Sequence, residues 1–301
     1  MKNVLISVPV KGEGGFLEET AVGRLEQLLS ESGDINFLGN INLKDCTLRN
    51  GEIFKKGELI KKPDLIFWYG KGMLKYWNLL KALSLESRVI KNPDSSKIVS
   101  SKFLAHSLLK KHGLPVADFA LVDYLDFDSM KKILKEWGAV LIKPQDGSFG
   151  RGIIKVEDFE IFRDIAGMLK LENKQQKILV EKFYPNKAKD WISTTVIGGE
   201  VVYGYRKNEE KFENWKVFDP IAKGGNAHYV DPAPVRKLAE KAAGCLGAEI
   251  VGFDFIKTEK GYILVDENNF PGLYDEAFSA VNKSPEKLMC KMIKQEAIPD
   301  R

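Results

Sequence analysis

The stretch that decides the fold is Val251–Leu273, which reads VGFDFIKTEKGYILVDENNFPGL. Two short apolar segments, Val251–Ile256 and Tyr262–Val265, flank the polar turn Lys257–Gly261. Paired apolar runs around a short Gly-containing turn are typical of a β-hairpin. The sequence therefore predicts two antiparallel strands here.

Three side chains with oxygen atoms lie where an apolar hairpin would not place them, namely Asp254, Asp266 and Asn268. Side chains alternate along a strand, so Asp266 and Asn268 share one face, Asp254 can join them from across the hairpin, and Glu267 points away. Two carboxylates and an amide oxygen suit Mg²⁺, which takes one or two carboxylates and uses substrate phosphates as further ligands. A polar hairpin end without any metal explains this stretch, taken alone, equally well.

The totals exclude several classes of protein. At 301 residues, the chain is too long for one small core, so two or three domains are expected. Its net charge of +4 fits an anionic ligand, but an ordinary solvated surface of mixed charges explains it better than a nucleic-acid surface, for which no basic run interleaved with aromatic residues is present. Three isolated cysteines indicate a reducing compartment, and His106, like the other histidines, lacks metal-ligand spacing and is interpreted as incidental. No segment has the length of a membrane span or the pattern of a signal peptide, so we expect a cytoplasmic protein without nucleic-acid or membrane partners.

The first part of the chain alternates between apolar strands and helical patterns, which predicts a small parallel α/β domain over Met1–Ile90. Its predicted elements are strands at Met1–Val10, Ile35–Leu43 and Asp64–Trp68 and helices at Phe16–Ser32 and Met73–Leu83. The composition of Lys91–Lys97 (KNPDSSK) then predicts a linker. After it, Ser100–His112 has the pattern of an amphipathic helix. Its predicted buried face consists of Phe103, Leu104, Ser107 and Leu108.

A second feature combines a lysine with a glycine-rich loop. The predicted strand Ala139–Pro144 carries Lys143 and runs into Gln145–Gly152 (QDGSFGRG), which a further strand, Ile153–Val156, follows. Glycines let the backbone approach a ligand closely, and exposed N–H groups together with Ser148 are suited to phosphate oxygens. The GxxxxGK[ST] pattern of a P-loop is absent. An ordinary Gly-rich hairpin beside a surface lysine is the competing interpretation.

The order of these features resembles the ATP-grasp superfamily, and within it the RimK-type amino-acid ligases. The resemblance covers about Asn92–Ala280 and depends on IKPQDGSFGRG and GFDF…LVDENNFPGL together. It implies an α/β (α+β) architecture of a small N-terminal domain followed by two subdomains that clasp ATP. The expected boundaries are 1–90, 91–183 with the lid and Gly-rich loop, and 184–301 with the metal site.

The same resemblance implies a role for each matching position. Lys102 and Lys143 correspond to the lysines that contact ATP phosphates, and Ser148, Phe149 and Gly150 to the lid loop. The remaining nucleotide contacts are Glu181, Lys182 and Phe183, whose backbone faces adenine, and Asp190, which approaches the ribose. The metal ligands are Asp254, Asp266 and Asn268, which would hold Mg²⁺, with Mn²⁺ as a substitute; Asp266 stands where the family usually has Glu.

This chain departs from the family's pattern where the substrate would bind. The Asp-Ile-Arg signature of the family reads Asp190-Trp191-Ile192-Ser193 here and lacks the arginine. Arg206 and Lys223 remain as cations that would face an acyl phosphate or a carboxylate in catalysis. The change leaves open whether glutamate is the amine that is added.

The implied activity is ATP-dependent ligation of a carboxylate to an amine through an acyl phosphate, with ADP and phosphate as products. The substrates are a small-molecule or peptide carboxylate and an amine or amino acid; related ligases are often dimers or tetramers, so a homo-oligomer is allowed. Two alternatives stay open at this point. One is an ATP-grasp small-molecule kinase, and the other is a non-catalytic nucleotide-binding module.

Overall fold

The computed structural model of the chain describes residues 1–144, 152–173, 177–207, 212–213, 216–217 and 227–298. Helices and strands in this part of the chain run, in order, β1 Lys2–Ser7, α1 Glu19–Ser30, β2 Ile35–Asn40, β3 Thr47–Arg49, β4 Glu52–Lys55, β5 Glu58–Leu59, β6 Leu65–Trp68, α2 Trp77–Leu83, β7 Arg88–Ile90, α3 Pro93–Val99, α4 Lys102–Lys111, β8 Phe119–Asp123, α5 Phe127–Trp137, β9 Val140–Lys143, β10 Ile154–Val156, α6 Phe159–Asn173, β11 Lys177–Lys182, β12 Trp191–Ile197, β13 Glu200–Lys207, β14 Phe212–Glu213, β15 Lys216–Val217, β16 Ala227–Val230, α7 Arg236–Leu246, β17 Ile250–Thr258, β18 Gly261–Asn268, α8 Asp275–Ala280 and α9 Pro285–Ala297.

The N-terminal region is built on a parallel sheet with the strand order β2-β1-β6-β7, as the alternation of strands and helices predicted. Its two central strands contain the continuous apolar runs Val4–Ile6 and Leu65–Trp68, which is typical of a parallel sheet that is covered on both faces. Helix α1 packs on α9 from the far end of the chain, so the N-terminal core includes residues near the C-terminus such as Met289 and Ile293. A separate antiparallel meander of β3, β4 and β5 lies between β2 and β6 along the chain, and the sequence did not predict it.

A second sheet has the order β10-β9-β11-β8 and is antiparallel throughout. Helices α5 and α6 pack together over it and form a separate apolar core around Met130, Val140 and Phe162. Helix α5 begins where the Asp126 carboxylate accepts the Ser129 amide at 3.0 Å, a standard N-cap. This sheet carries Lys143 at the end of β9 and Glu181 on β11.

The third sheet has five strands in the order β16-β13-β12-β17-β18, with the predicted hairpin Val251–Leu273 forming one side. Helices α3, α4 and α7 cover one face of it and share its apolar core. The segment Pro115–Ala117 runs along β18, where the Ala117 amide donates to the Leu264 carbonyl at 2.9 Å. The strand that carries Asp266 is therefore held from both sides.

The linker predicted for Lys91–Lys97 is wrong, because Pro93–Val99 forms helix α3. The Asn92 side chain accepts the amides of Asp94 and Ser95, and Pro93 occupies the first turn of the helix. An Asn cap followed by proline is a strong helix start, and it outweighs a composition rich in polar residues.

The predicted buried face of the next helix is also wrong. In α4 the buried side chains are those of Lys102, Ala105, His106 and Leu109, whereas Leu104 is 50% exposed. The apolar pattern failed because Lys102 and His106 face carboxylates of the third sheet instead of solvent. The mixed α/β class is confirmed, and the three predicted domain ranges stay a prediction.

Candidate active site

The hairpin register brings the predicted metal ligands to one face of the third sheet. Asp254 on β17 lies directly opposite Asp266 on β18, and Gly252 lies opposite Asn268. Facing Cβ atoms in an antiparallel pair are about 4.5–5.5 Å apart, so two carboxylates meet here. Asp254 is 4% exposed, which means that the rest of the fold encloses this carboxylate.

A β-bulge at Val265 makes this arrangement compatible with an apolar core. The register shifts between Asp254 and Phe255, so that Phe255 pairs with Leu264 while Asp254 pairs with Asp266. Strict alternation would put Leu264 and Asp266 on the same face, because they are two residues apart. The extra residue instead sends Leu264 into the apolar core and Asp266 into the site, a known use of bulges next to functional sites.

Lys102 reaches the site from the first turn of α4 and forms an ion pair with Asp266. Burial opposes the charged form of both groups, yet Lys102 and Lys143 hold the pKa of the Asp266 carboxyl below its usual value. The same pairing, helped by Glu267, raises the pKa of Lys102. Both side chains therefore stay ionised at neutral pH.

Lys143 connects the second and third sheets. Its Nζ lies 2.6 Å from the Glu181 carboxylate on the neighbouring strand and donates to the Val265 carbonyl at 2.9 Å. The bulge helps to leave that carbonyl available, since a bulged residue is unpaired in the ladder. Lys143 and Glu181 are 7% and 1% exposed, so their charges compensate each other in a nearly dry environment.

A buried His106 behind the site went unrecognised in the sequence. Its Nε2 lies 3.0 Å from Glu267 and its Nδ1 lies 3.7 Å from Glu181, and none of the three side chains is more than 3% exposed. Burial lowers the pKa of His106, but Glu267 and Glu181 together raise it above the usual value. Burial has the opposite effect on the Glu267 carboxyl and raises its pKa above the usual value. The spacing of Lys102 and His106, one helical turn apart, was the available signal.

The predicted adenine-contacting segment lies at the end of β11. The amides of Lys182 and Phe183 donate to the carbonyls of Asp118 and Ala139 at 2.8 and 2.9 Å, so the sheet already uses these two donors. The Lys155 Nζ lies 4.5 Å from the centre of the Phe183 ring. The predicted nucleotide contacts of Glu181, Lys182 and Phe183 stay predictions.

The predicted ribose contact, Asp190, ends a short 3₁₀ turn at Ala188–Asp190. Its carboxylate accepts the Lys187 amide at 2.9 Å, which fixes the turn just before β12. This capping bond uses one oxygen and leaves the role toward ribose a prediction.

Arg206 lies near the end of β13, where its Nε donates to the Trp191 carbonyl at 3.1 Å. Beside it, Tyr205 pairs with Ser193, and Ser193 pairs with Asp254, in one row across three strands. Burial raises the pKa of Tyr205 well above its usual value, and Asp254 adds to this, so the phenol keeps its proton. The row therefore places the hydroxyl groups of Tyr205 and Ser193 beside the Asp254 carboxylate. Ser193 ends the segment in which the arginine of the Asp-Ile-Arg signature is missing.

Four predicted site residues, Ser148, Phe149, Gly150 and Lys223, lie outside the described residues. Their predicted roles stay predictions.

The donor set fits a hard divalent cation that also takes ligands from its substrate. In the described ranges no group of three or more His, Cys, Asp or Glu side chains is arranged to hold a metal. Asp254, Asp266 and Asn268 supply two carboxylates and an amide on one sheet face, with phosphate oxygens needed to complete a shell.

In the described part of the chain, no helix has the length and apolarity needed to cross a bilayer.

Comparisons with known proteins agree with this geometry. A model of the RimK-like ATP-grasp domain matches residues 99–288. A relative from Parasynechococcus marenigrum (strain WH8102), described as a probable alpha-L-glutamate ligase, is 27% identical over 245 residues, covering 77% of this chain and 51% of that protein. This chain thus spans about half the length of that relative.

Solved structures show the same fold at low sequence identity. The ATP-grasp ligase PsnB, in complex with the precursor peptide PsnA2 and AMPPNP, superimposes with a TM-score of 0.66 at 17% identity, covering 98% of each chain. The D-alanyl-alanine synthetase A of Vibrio cholerae gives a TM-score of 0.68 at 12% identity, again with 98% of each chain covered. The predicted ATP-grasp fold is confirmed.

The family model matches more than half of the chain, and membership of this family implies the use of ATP and a divalent metal. The family match and the description of this relative are consistent with the predicted class of activity, an ATP-dependent carboxylate–amine ligase that forms C–N bonds. Neither the kinase nor the non-catalytic nucleotide-binding module is favoured by these findings. The chain belongs to the RimK-like ATP-grasp family.

Proposed function

We propose that the chain joins a carboxylate of a small molecule or peptide to an amine or amino acid, with ATP as the energy source and Mg²⁺ as the preferred metal. Mn²⁺ is the proposed substitute, since the same oxygen ligands suit it. Asp254, Asp266 and Asn268 would hold the metal. When bound, the metal would neutralise phosphate charge and orient the nucleotide.

The proposed reaction has two steps. A carboxylate oxygen of the substrate attacks the γ-phosphorus of ATP, the bond to ADP breaks, and an acyl phosphate forms. The amine nitrogen then attacks the acyl carbon, phosphate leaves, and the amine loses its proton to solvent. Lys102 and Lys143 supply positive charge where the transferred phosphoryl group carries negative charge, which is how phosphoryl transfer is mainly catalysed.

Further residues are proposed for the two ends of the substrate. Arg206 and Lys223 would face the acyl phosphate or the incoming carboxylate. The nucleotide would be enclosed by Ser148, Phe149 and Gly150 over the phosphates, by the backbone of Glu181, Lys182 and Phe183 at adenine, and by Asp190 at the ribose. A closed site of this kind excludes water, which protects an acyl phosphate from hydrolysis.

The larger organisation is part of the same proposal. The three domain ranges 1–90, 91–183 and 184–301 would act as a substrate-shaping domain and two ATP-clasping subdomains. We also propose a cytoplasmic location, and assembly as a homo-oligomer is compatible with the proposed reaction.

One observation carries the proposal: Lys102 from α4 and Lys143 from β9 both converge on the end of the strand that carries Asp266. Two buried cations beside two carboxylates is an arrangement suited to a metal–triphosphate ligand, because each charge in the protein then has an opposite charge to contact. A purely structural hairpin end has no need of two lysines from separate elements.

The test is a screen for phosphate release. Carboxylic acids, including short acidic peptides, are crossed with amino acids, glutamate among them, in the presence of ATP and Mg²⁺. Mass spectrometry then identifies the product. We expect phosphate and ADP in equal amounts, only when both an acid and an amine are present.

A kinase gives a different outcome in the same assay, since the phosphate then stays on the product and ADP alone accumulates. The Asp254→Asn variant serves as the matched control because it keeps the shape of the side chain and removes its charge. Turnover at the parent rate in this variant would remove the basis of the proposed metal site.

A further inference from the structure

Lys91 is a buried lysine that the reaction described above does not use. It lies directly after β7, it is 2% exposed, and its backbone has φ of 61°. A non-glycine residue in this left-handed region is uncommon and costs on the order of 1 kcal/mol or more, so the surrounding contacts must hold it there. Burial lowers the pKa of Lys91 to about 7, and Glu249 opposes part of that shift.

The ammonium group of Lys91 meets the end of the metal-ligand strand. Its Nζ donates to the Ile250 carbonyl at 2.9 Å, to the Asn269 side-chain oxygen at 2.8 Å, and to the Asn269 backbone carbonyl. These three acceptors satisfy the three donors of a lysine. Two of them belong to the residue that directly follows Asn268.

Asn269 is also fixed from its other side. Its Nδ2 lies 3.2 Å from both the Ser96 carbonyl on α3 and the Ser100 hydroxyl just before α4. Helix α4 begins two residues later with Lys102, which pairs with Asp266. Lys91 and Asn269 therefore connect the end of β18 to the helix that supplies a cation to the site.

The same lysine makes contact with the N-terminal region through an aromatic ring. Its Nζ lies 4.5 Å from the centre of the Phe270 ring, and that ring stacks on Phe16 at 4.3 Å. A cation over a buried aromatic ring is attracted to its face. Asn269 and Phe270, which directly follow Asn268, are thus held between α3 and the loop that follows β1.

We propose that Lys91 is a positioning residue that fixes Asn269 and thereby sets the metal ligands Asp266 and Asn268 against Lys102. The proposal rests on the proposed function, because it takes those two residues to be metal ligands. A lysine that only filled a core could be replaced by an apolar side chain without any effect on metal binding. Partners that orient ligands from outside the first coordination shell typically change metal affinity about 10–100-fold when they are removed.

The experiment measures metal binding without turnover. Mn²⁺ is titrated into the full chain with a non-hydrolysable ATP analogue, and the electron paramagnetic resonance signal of free Mn²⁺ gives the dissociation constant. We expect Lys91→Met to weaken Mn²⁺ binding about 10-fold. Lys97→Met, at an exposed lysine on α3, is the matched control and should leave the affinity unchanged.

Thermal unfolding separates positioning from a general loss of stability. Leu25→Ala removes a buried side chain of α1 and should lower the melting temperature while leaving Mn²⁺ affinity at the parent value. If Lys91→Met lowers the melting temperature and binds Mn²⁺ within two-fold of the parent, the positioning role is wrong. If Lys91→Met does not fold, the Mn²⁺ affinity of Asn269→Ala is measured instead, since this variant leaves Lys91 its two carbonyl acceptors. Weaker binding is expected, and an affinity within two-fold of the parent would overturn the positioning role.

A double-mutant cycle tests the route of the effect. If Lys91 acts through Asn269, the Lys91→Met change should weaken Mn²⁺ binding clearly less in the Asn269→Ala background than in the parent. Equal effects in both backgrounds would overturn this route. If the parent and Asp254→Asn bind Mn²⁺ equally weakly, the proposed function fails instead, so the two failures are distinguishable.

Discussion

The two faces of strand β18 use similar side chains for different purposes. On one face, Asp266 lies opposite Asp254 and receives Lys102. On the other face, Glu267 lies against His106 and is 3% exposed. Asp266 and Glu267 are adjacent acidic residues with different surroundings, so the role of a carboxylate in this strand depends on the groups its face contacts: a proposed ligand site for Asp266 and a buried histidine for Glu267.

Of the variants on the two faces, Asp254→Asn, on the face of Asp266, is expected to lower turnover the most. The variant keeps the volume of the side chain but removes one of two facing carboxylates, so metal-dependent turnover should fall at least about 100-fold. Phosphate release measures the loss, and thermal unfolding should show a nearly unchanged fold. A comparable loss of activity in Glu267→Gln, with an unchanged melting temperature, would contradict the division between the two faces.

Lys143→Met should affect both faces, because this lysine is paired with the buried Glu181 and also reaches the Val265 carbonyl. Removing one partner of a buried ion pair leaves the other charge uncompensated and costs about 3–5 kcal/mol of the free energy of unfolding. Turnover should fall as well, since the cation proposed for the phosphates is lost.

The double variant Lys143→Met/Glu181→Leu is the control for this prediction. It removes both charges, so urea unfolding should recover much of the lost stability while activity stays low. Recovery of activity together with stability would show that Lys143 contributes only to the fold.

The site could be predicted to the extent that its residues lie close in the sequence. Asp254 and Asp266 flank one predicted turn, so the hairpin alone placed them near each other, but only the bulge puts them on the same face. Glu267 and His106 are far apart along the chain, on a strand and a helix, and no spacing connects them. The bulge at Val265 also left no sequence signal, because an extra residue in a strand has no characteristic side chain.

The errors in the predicted fold also have local causes. The segment around Pro93 was predicted as a linker from its polar composition, although an Asn cap before proline is a helix start. Helix α4 was assigned the wrong buried face, because that face was chosen from the spacing of Phe103, Leu104 and Leu108, whereas the buried side chains include Lys102 and His106. Charged residues that are paired in a core invert the usual pattern, and a single sequence does not show where the partner lies.

A smaller effect is expected on the support face, from the protonation of His106. Its pKa is raised in the folded chain because Glu267 and Glu181 prevail over burial and over the nearby Lys143. A raised folded pKa contributes stability that is fully present below the unfolded value of about 6.5 and is lost as pH rises through the folded value. Glu267, whose pKa is also raised, changes stability in the same direction.

The measurement compares the parent with His106→Gln by urea unfolding from pH 6 to pH 9. We expect the parent to lose stability relative to the variant as the pH rises through this range. A difference between the two proteins that is independent of pH would mean that His106 does not change its charge there.

The smallest effect is expected from Thr195→Val, on the ligand face one row beyond Asp254. The Thr195 hydroxyl donates to the Gly272 carbonyl at 3.0 Å, and the Tyr203 hydroxyl donates to the same oxygen at 2.6 Å. Because one donor remains, the variant should lose only about 1 kcal/mol of the free energy of unfolding. Thr195→Val combined with Tyr203→Phe leaves the carbonyl without these donors, so the double loss should exceed the sum of the single losses. Simple additivity in urea unfolding would mean that solvent reaches Gly272 and that the segment after Asn268 is held mainly from the side of Lys91.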